Sequence, residues 1–207
     1  PMFLTIGNTS DFTFSLIKTS RINLLIESQY RKLFDLGDLI LESAFLPSSG
    51  NNSIKGFLKI KGNARLDRSA FLNVDTTLIS DTSFLGKYGY DDRDRFLNSI
   101  SFEKFSNRSY LRASTLYHTS LRDSNTVEPL VLPDLRYRKY RKFKKSGLLL
   151  SEKYSLVGIS RREGTGYSRL SADLELSKSW QAENGLIVRG TGNVLTAAYS
   201  ENNINTV

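Results

Sequence analysis

Hydrophobic and polar residues alternate along most of the chain. Over residues 54–66, Ile54, Gly56, Leu58, Ile60, Gly62, Ala64 and Leu66 share one face. Lys55, Lys59, Lys61, Asn63 and Arg65 share the other, and only Phe57 breaks the polar side. A period of two sustained over such a length predicts a long β-strand with one apolar and one basic face. The same pattern returns at 72–78, where Leu72, Val74, Thr76 and Leu78 oppose Asn73, Asp75 and Thr77. It returns again at 167–180, where Leu170, Ala172, Leu174 and Leu176 oppose Arg169, Ser171, Asp173 and Glu175. Further runs fall at 11–18, 24–31, 39–46, 96–105, 109–122, 133–140, 147–160 and 185–199. Soluble strands have a modal length of about 5–6 residues, whereas a tilted bilayer path takes roughly 9–11.

Short turns such as 35–38 and 106–108 largely alternate with longer loops such as 47–53, 81–95 and 123–132. Outer-membrane barrels have this asymmetry, with short turns on the periplasmic side and long loops outside. The pattern predicts an all-β, antiparallel, up-and-down transmembrane β-barrel segment of about ten to eleven strands of a larger barrel. No helix signature is visible, nor any repeat beyond the hairpin.

Composition narrows the alternatives. Hydrophobic residues make up 39% of the 207, against roughly 45–50% in soluble domains by a count that includes glycine. No run approaches the ~18 consecutive apolar residues of a transmembrane helix, so any membrane crossing is made by strands. Cysteine is absent, which excludes disulfides and thiolate metal sites. The formal net charge of +8 favours anionic partners. The opening Pro1-Met2-Phe3 carries no basic n-region, and both ends read as cut from a longer protein.

Candidate chemistry is sparse. His118 is the lone histidine, read as a strand residue rather than a zinc ligand. Asp91, Asp92 and Asp94 lack the spacing of a calcium loop. Gly164-Thr165-Gly166 and Gly190-Thr191-Gly192 have no strand-to-helix context and read as turns or strand bends. Asp173 and Glu175 beside Arg169 read as an ion-pair network. No catalytic group, metal site or cofactor is expected. The run Arg136, Arg138, Lys139, Arg141, Lys142, Lys144 and Lys145 reads as a solvated rim, or as a contact for anionic head groups or phosphates. A nucleic-acid interface is disfavoured, because aromatics are not interleaved with the cations on the polar face.

Several stretches in order resemble the LPS-assembly outer-membrane protein family LptD (also OstA or Imp), in the style of its α-proteobacterial members. They are Pro1-Met2-Phe3-Leu4-Thr5-Ile6-Gly7 with Asp11-Phe12-Thr13-Phe14, and Glu27-Ser28-Gln29-Tyr30-Arg31 with Gly37 and Leu41-Glu42. The most specific runs from Leu72 through Asn73, Asp75 and Ser80 to Asp81, with Phe84-Leu85 and Tyr88-Gly89 behind it. Asn107-Arg108-Ser109-Tyr110, Leu121-Arg122, Pro129 to Pro133, and Ser160 through Arg162 and Gly164 to Thr165 follow. The resemblance implies a barrel in the Gram-negative outer membrane that receives lipopolysaccharide from periplasmic Lpt bridge proteins and assembles it into the outer leaflet. It implies a plug lipoprotein, LptE, in the lumen, and no enzymatic activity. Residues 1–207 would form part of one barrel domain, lacking the N-terminal jellyroll, the first gate strands and the closing strands. Residues expected on the lumen side, facing anions, are Lys55, Lys59, Lys61, Arg65, Arg112, Arg136, Arg138 and Arg169. The rival reading is a general porin or other outer-membrane channel, which shares the strand pattern.

Overall fold

A computed structural model describes residues 1–18, 24–47, 54–122 and 128–204. The predicted loops at 47–53 and 123–132 lie partly outside the described residues, and a predicted turn at 19–21 and residues 205–207 lie wholly outside them. The strands are β1 Met2–Thr5, β2 Ser10–Ile17, β3 Leu25–Phe34, β4 Gly37–Leu46, β5 Lys55–Arg65 and β6 Ala70–Ile79. After a one-turn helix, α1 Phe84–Tyr88, come β7 Arg95–Ser106, β8 Ser109–Ser120, β9 Leu130–Lys142, β10 Leu149–Ser160, β11 Gly164–Gln181 and β12 Ile187–Ile204. The strands pair in chain order in one sheet, the up-and-down arrangement that the alternation predicts.

The described residues hold twelve strands where ten to eleven were expected. The addition is β1, whose Met2-Phe3-Leu4 is too short to show a period. Pairing with β2, Met2 opposite Phe14 and Leu4 opposite Phe12, makes it a strand. The predicted 81–95 loop holds the helix, and β12 continues past the predicted 199 to Ile204.

The chain divides into two compact units, residues 1–101 with 116–128, and residues 102–115 with 129–207. In the first, register confirms the faces read from the sequence. Leu58 lies opposite Leu78, Ile60 opposite Thr76 and Gly62 opposite Val74, while Lys59 faces Thr77 and Lys61 faces Asp75. Directly opposed residues share a face, so the basic face extends through Glu42 on β4 and Gln29 on β3 to Thr13 on β2.

The buried cluster of the first unit sits on this basic face. It consists of Leu25, Ala44, Phe84, Leu85 and Phe96, with Ile17, Leu46, Phe57 and Ile79 packed against it. Ile17 opposes Leu25, Ala44 opposes Phe57, and Phe57 opposes Ile79, which puts these five residues on the side of the lysines. The segment between β6 and β7 folds over that side and inserts Phe84 and Leu85, 1% and 2% exposed. Phe57 therefore interrupts the polar pattern because it is the floor beneath α1, its ring edge-on to those of Phe84 and Tyr90. Gly89, with φ of 72°, ends the helix in the left-handed conformation.

In the second unit the register divides the basic run between two faces. Arg136, Arg138 and Tyr140 oppose Ser155, Lys153 and Ser151, and share their face with Asp173 and Ser171. Lys139 and Arg141 oppose Glu152 and Leu150, and share theirs with Leu156, Leu170, Leu174 and Leu176. Gly158 marks a register shift between Val157 and Ile159, where a Cβ would stand 2.7 Å from the Leu132 carbonyl oxygen.

Candidate functional site

Carboxylates already engage part of the predicted cationic row on β5. Lys55 Nζ lies 2.6 Å from Asp81 Oδ2 at the root of the α1 segment, and Lys59 lies 3.8 Å from Glu42, which also accepts from Gln29. Arg65 donates to the Asp67 and Arg68 carbonyls of the β5–β6 turn. Lys61 is exposed and, among the described residues, has no carboxylate within ion-pair distance. This face is a mixed network in which only part of the positive charge is free.

The α1 segment is tied down at its polar ends as well as by its apolar face. Asp81 Oδ1 accepts from the Ser83 amide at 2.9 Å and its hydroxyl at 2.6 Å. Tyr90 donates its hydroxyl to Glu27 on β3. Burial and that bond to an anion hold the Tyr90 proton well above the ordinary phenol range. Arg93 grips Asp91 through Nε and Nη2, the latter at 2.6 Å. Sequence reasoning did not find this inward fold, although Phe57 was its one legible signal.

The hydrogen bond from Lys55, with those from Ser83, holds the Asp81 carboxyl down at about 2, against an ordinary 3.8. A carboxyl depressed in the folded state stabilises it above the unfolded value and loses that contribution as pH falls through the folded one. The Asp81 contribution is therefore complete above about pH 4 and lost towards pH 2. A fluorophore on Gly86→Cys, where a side chain meets open space, reports the segment's mobility. Its anisotropy is expected to drop across that window, and to change much less in Asp81→Asn. A flat profile in the parent protein would remove the ion pair from the segment's anchorage.

In the second unit, cations of the basic face converge. Arg112, Arg136 and Arg138, with Tyr110, Tyr140 and the Asn107–Arg108 turn, line a cavity of about 550 Å³. Arg136 is fixed by Asp134, 2% exposed, through Nε at 3.0 Å and Nη2 at 3.1 Å. Ser114 adds a hydroxyl bond of 3.2 Å to the same carboxylate. Arg112 Nε is buried without a hydrogen-bond partner, and Glu103 stands 3.8 Å away. Arg138 has no carboxylate within ion-pair distance among the described residues. A neighbouring cavity of about 320 Å³ brings Arg136 and Arg138 together with Lys153, Arg169 and Asp173. The arrangement supplies fixed guanidinium donors on an open wall, a chemistry suited to phosphate or carboxylate oxygens. Tyr140 was legible in the alternation that picked out Arg136 and Arg138, but an aromatic among cations does not announce a cavity.

The family model for LptD, LPS transport system D, matches residues 53–206. The chain belongs to the LptD family. That membership bears out the resemblance read from the sequence and places the protein in an LPS transport system. No individual curated protein matches it.

Of the motif positions of this LptD chain, Ser80, Asp81 and Arg122 make side-chain contacts within the described residues. Ser80 closes the β5–β6 ladder, its hydroxyl accepting from the Gly56 amide at 2.8 Å. Asn73 faces Asn63, and Asp75 faces Lys61. Asp81 roots the α1 segment, and Arg122 pairs with Asp94 at 2.8 Å. Pro129 precedes β9 and Pro133 lies within it. Arg162 lies between β10 and β11, and Gly164 opens β11 with φ of 103°.

Proposed function

We propose that this LptD chain forms wall strands of an outer-membrane β-barrel that inserts lipopolysaccharide into the outer leaflet, its basic faces lining the translocation path. One observation carries this: Arg112, Arg136 and Arg138 stand around an open cavity on a face whose reverse side is lined by Leu156, Leu170, Leu174 and Leu176. Sheets that span membranes put polar residues inside and apolar ones towards lipid. A phosphorylated glycolipid needs donors of fixed geometry along its path and no catalytic group. The long-loop end, including the α1 segment, is then extracellular, and the short turns are periplasmic. LptE in the lumen and the periplasmic Lpt bridge proteins are the partners that complete this reading.

Photo-crosslinkers test the assignment in living cells. Placed at Lys61 and Arg138 of the full-length protein, they are expected to capture lipopolysaccharide or LptE. At Leu58 and Leu135, on the opposite face, capture of LptE is expected to vanish. Depletion is expected to lower surface lipopolysaccharide. Unchanged surface lipopolysaccharide with altered uptake of small solutes would replace this reading with a porin.

A further inference from the structure

Two cations of the basic run lie on the leucine face and have no place along a translocation path. Lys139 and Arg141 share that face of β9 with Leu135 and Tyr137. Across from Lys139 stands Glu152, only 7% exposed, with Arg141 Nη2 3.2 Å from its Oε1. An unpaired carboxylate on an apolar wall is costly, so Glu152 persists there only with cations beside it. It draws Arg141 along the sheet, and the arginine side chain remains about half exposed. One carboxylate cannot neutralise two cations, and a third follows on the same face. Lys178 lies two residues beyond Leu176 on β11, with its ammonium 5.4 Å from the Trp180 ring centroid. On one side of this group are Leu135, Leu156 and Leu170. On the other is the 143–148 turn.

We propose that Lys139, Arg141 and Lys178 form a binding site for the phosphate of an anionic phospholipid on the outward wall of the β9–β11 strands. It sits level with Leu150, Leu174 and Leu176, between Leu135, Leu156 and Leu170 on one side and the 143–148 turn on the other. The site rests on the reading of the leucine face as lipid-facing, and goes beyond the path for lipopolysaccharide. Glu152 is its positioning residue, holding Arg141 against the wall. Tyr137 and Tyr154, their rings stacked at 6.3 Å, and Trp180 flank it with the amphipathic rings that favour a head-group level. Clustered cations at a membrane surface favour anionic lipid.

The full-length protein, reconstituted in phosphatidylcholine vesicles containing a minority of phosphatidylglycerol, tests this with spin-labelled forms of both lipids. The protein is expected to immobilise phosphatidylglycerol in preference to phosphatidylcholine. The Lys139→Gln/Arg141→Gln double variant is expected to lose roughly tenfold of that preference. Lys139→Arg/Arg141→Lys, which keeps the charges, is expected to retain it and serves as the check on folding. Lys87→Gln/Arg161→Gln removes equal charge at the opposite strand ends and is expected to leave it in place. An unchanged preference in the first variant, or an equal loss in the last, overturns the site and leaves the membrane reading intact. A protein that does not enter the vesicles overturns both.

Discussion

Phe84→Ala is expected to release the α1 segment from the basic face while the strands stay paired. Phe84 is 1% exposed and packs its ring against Phe57, Tyr88 and Tyr90. Replacing a buried Phe by Ala costs about 3–5 kcal/mol. A short helix contributes almost no stability of its own, so that loss falls on docking. The remaining ties are buried Leu85 and the polar contacts of Lys55 with Asp81 and Tyr90 with Glu27. A fluorophore on Gly86→Cys in the Phe84→Ala background is expected to show low anisotropy at neutral pH, with β-sheet circular dichroism unchanged. Lys87→Ala, at the helix's basic last residue, is expected to leave the label immobile. A rigid label in the Phe84→Ala protein would mean that Leu85 and the polar ties suffice to hold the segment.

The second large effect concerns the leucine face. Leu156 lies between Leu135 on β9 and Leu170 on β11, a row without a carboxylate. Leu156→Arg is expected to weaken folding into bilayers by about 2–4 kcal/mol, the cost of an arginine near the midplane of a barrel's lipid face. Ser171→Arg adds the same side chain to the opposite face, at the cost of one hydroxyl pair with Ser155 at 2.6 Å. Such a bond contributes about 1 kcal/mol. Urea titration of refolding into phosphatidylcholine vesicles distinguishes the two. Equal destabilisation would show that neither face is preferentially in contact with lipid. Leu174 is a poorer probe, because Glu152 stands directly opposite and would pair with an introduced arginine.

Faces and strands were legible in the sequence because a strand's side-chain period is a local property of the backbone. Alternation from Ile54 to Leu66 assigned Leu58 and Lys59 to opposite sides, and their cross-strand partners Leu78 and Thr77 agree. Family membership was legible for a related reason, since ordered short stretches survive as text. Other features depend on residues far apart in the chain, and only the tertiary structure decided them. The four residues of β1 became a strand through pairing with β2. Phe57, Ala44 and Leu25 came together beneath a helix that begins only at Phe84. A run of seven cations was divided by register into Arg136 and Arg138 on one face and Lys139 and Arg141 on the other. Their counter-charges came from neighbouring positions as different as Asp134, two residues from Arg136, and Glu152 on the next strand. Periodicity states which residues share a side. Which charges are already satisfied there depends on the neighbours that folding supplies.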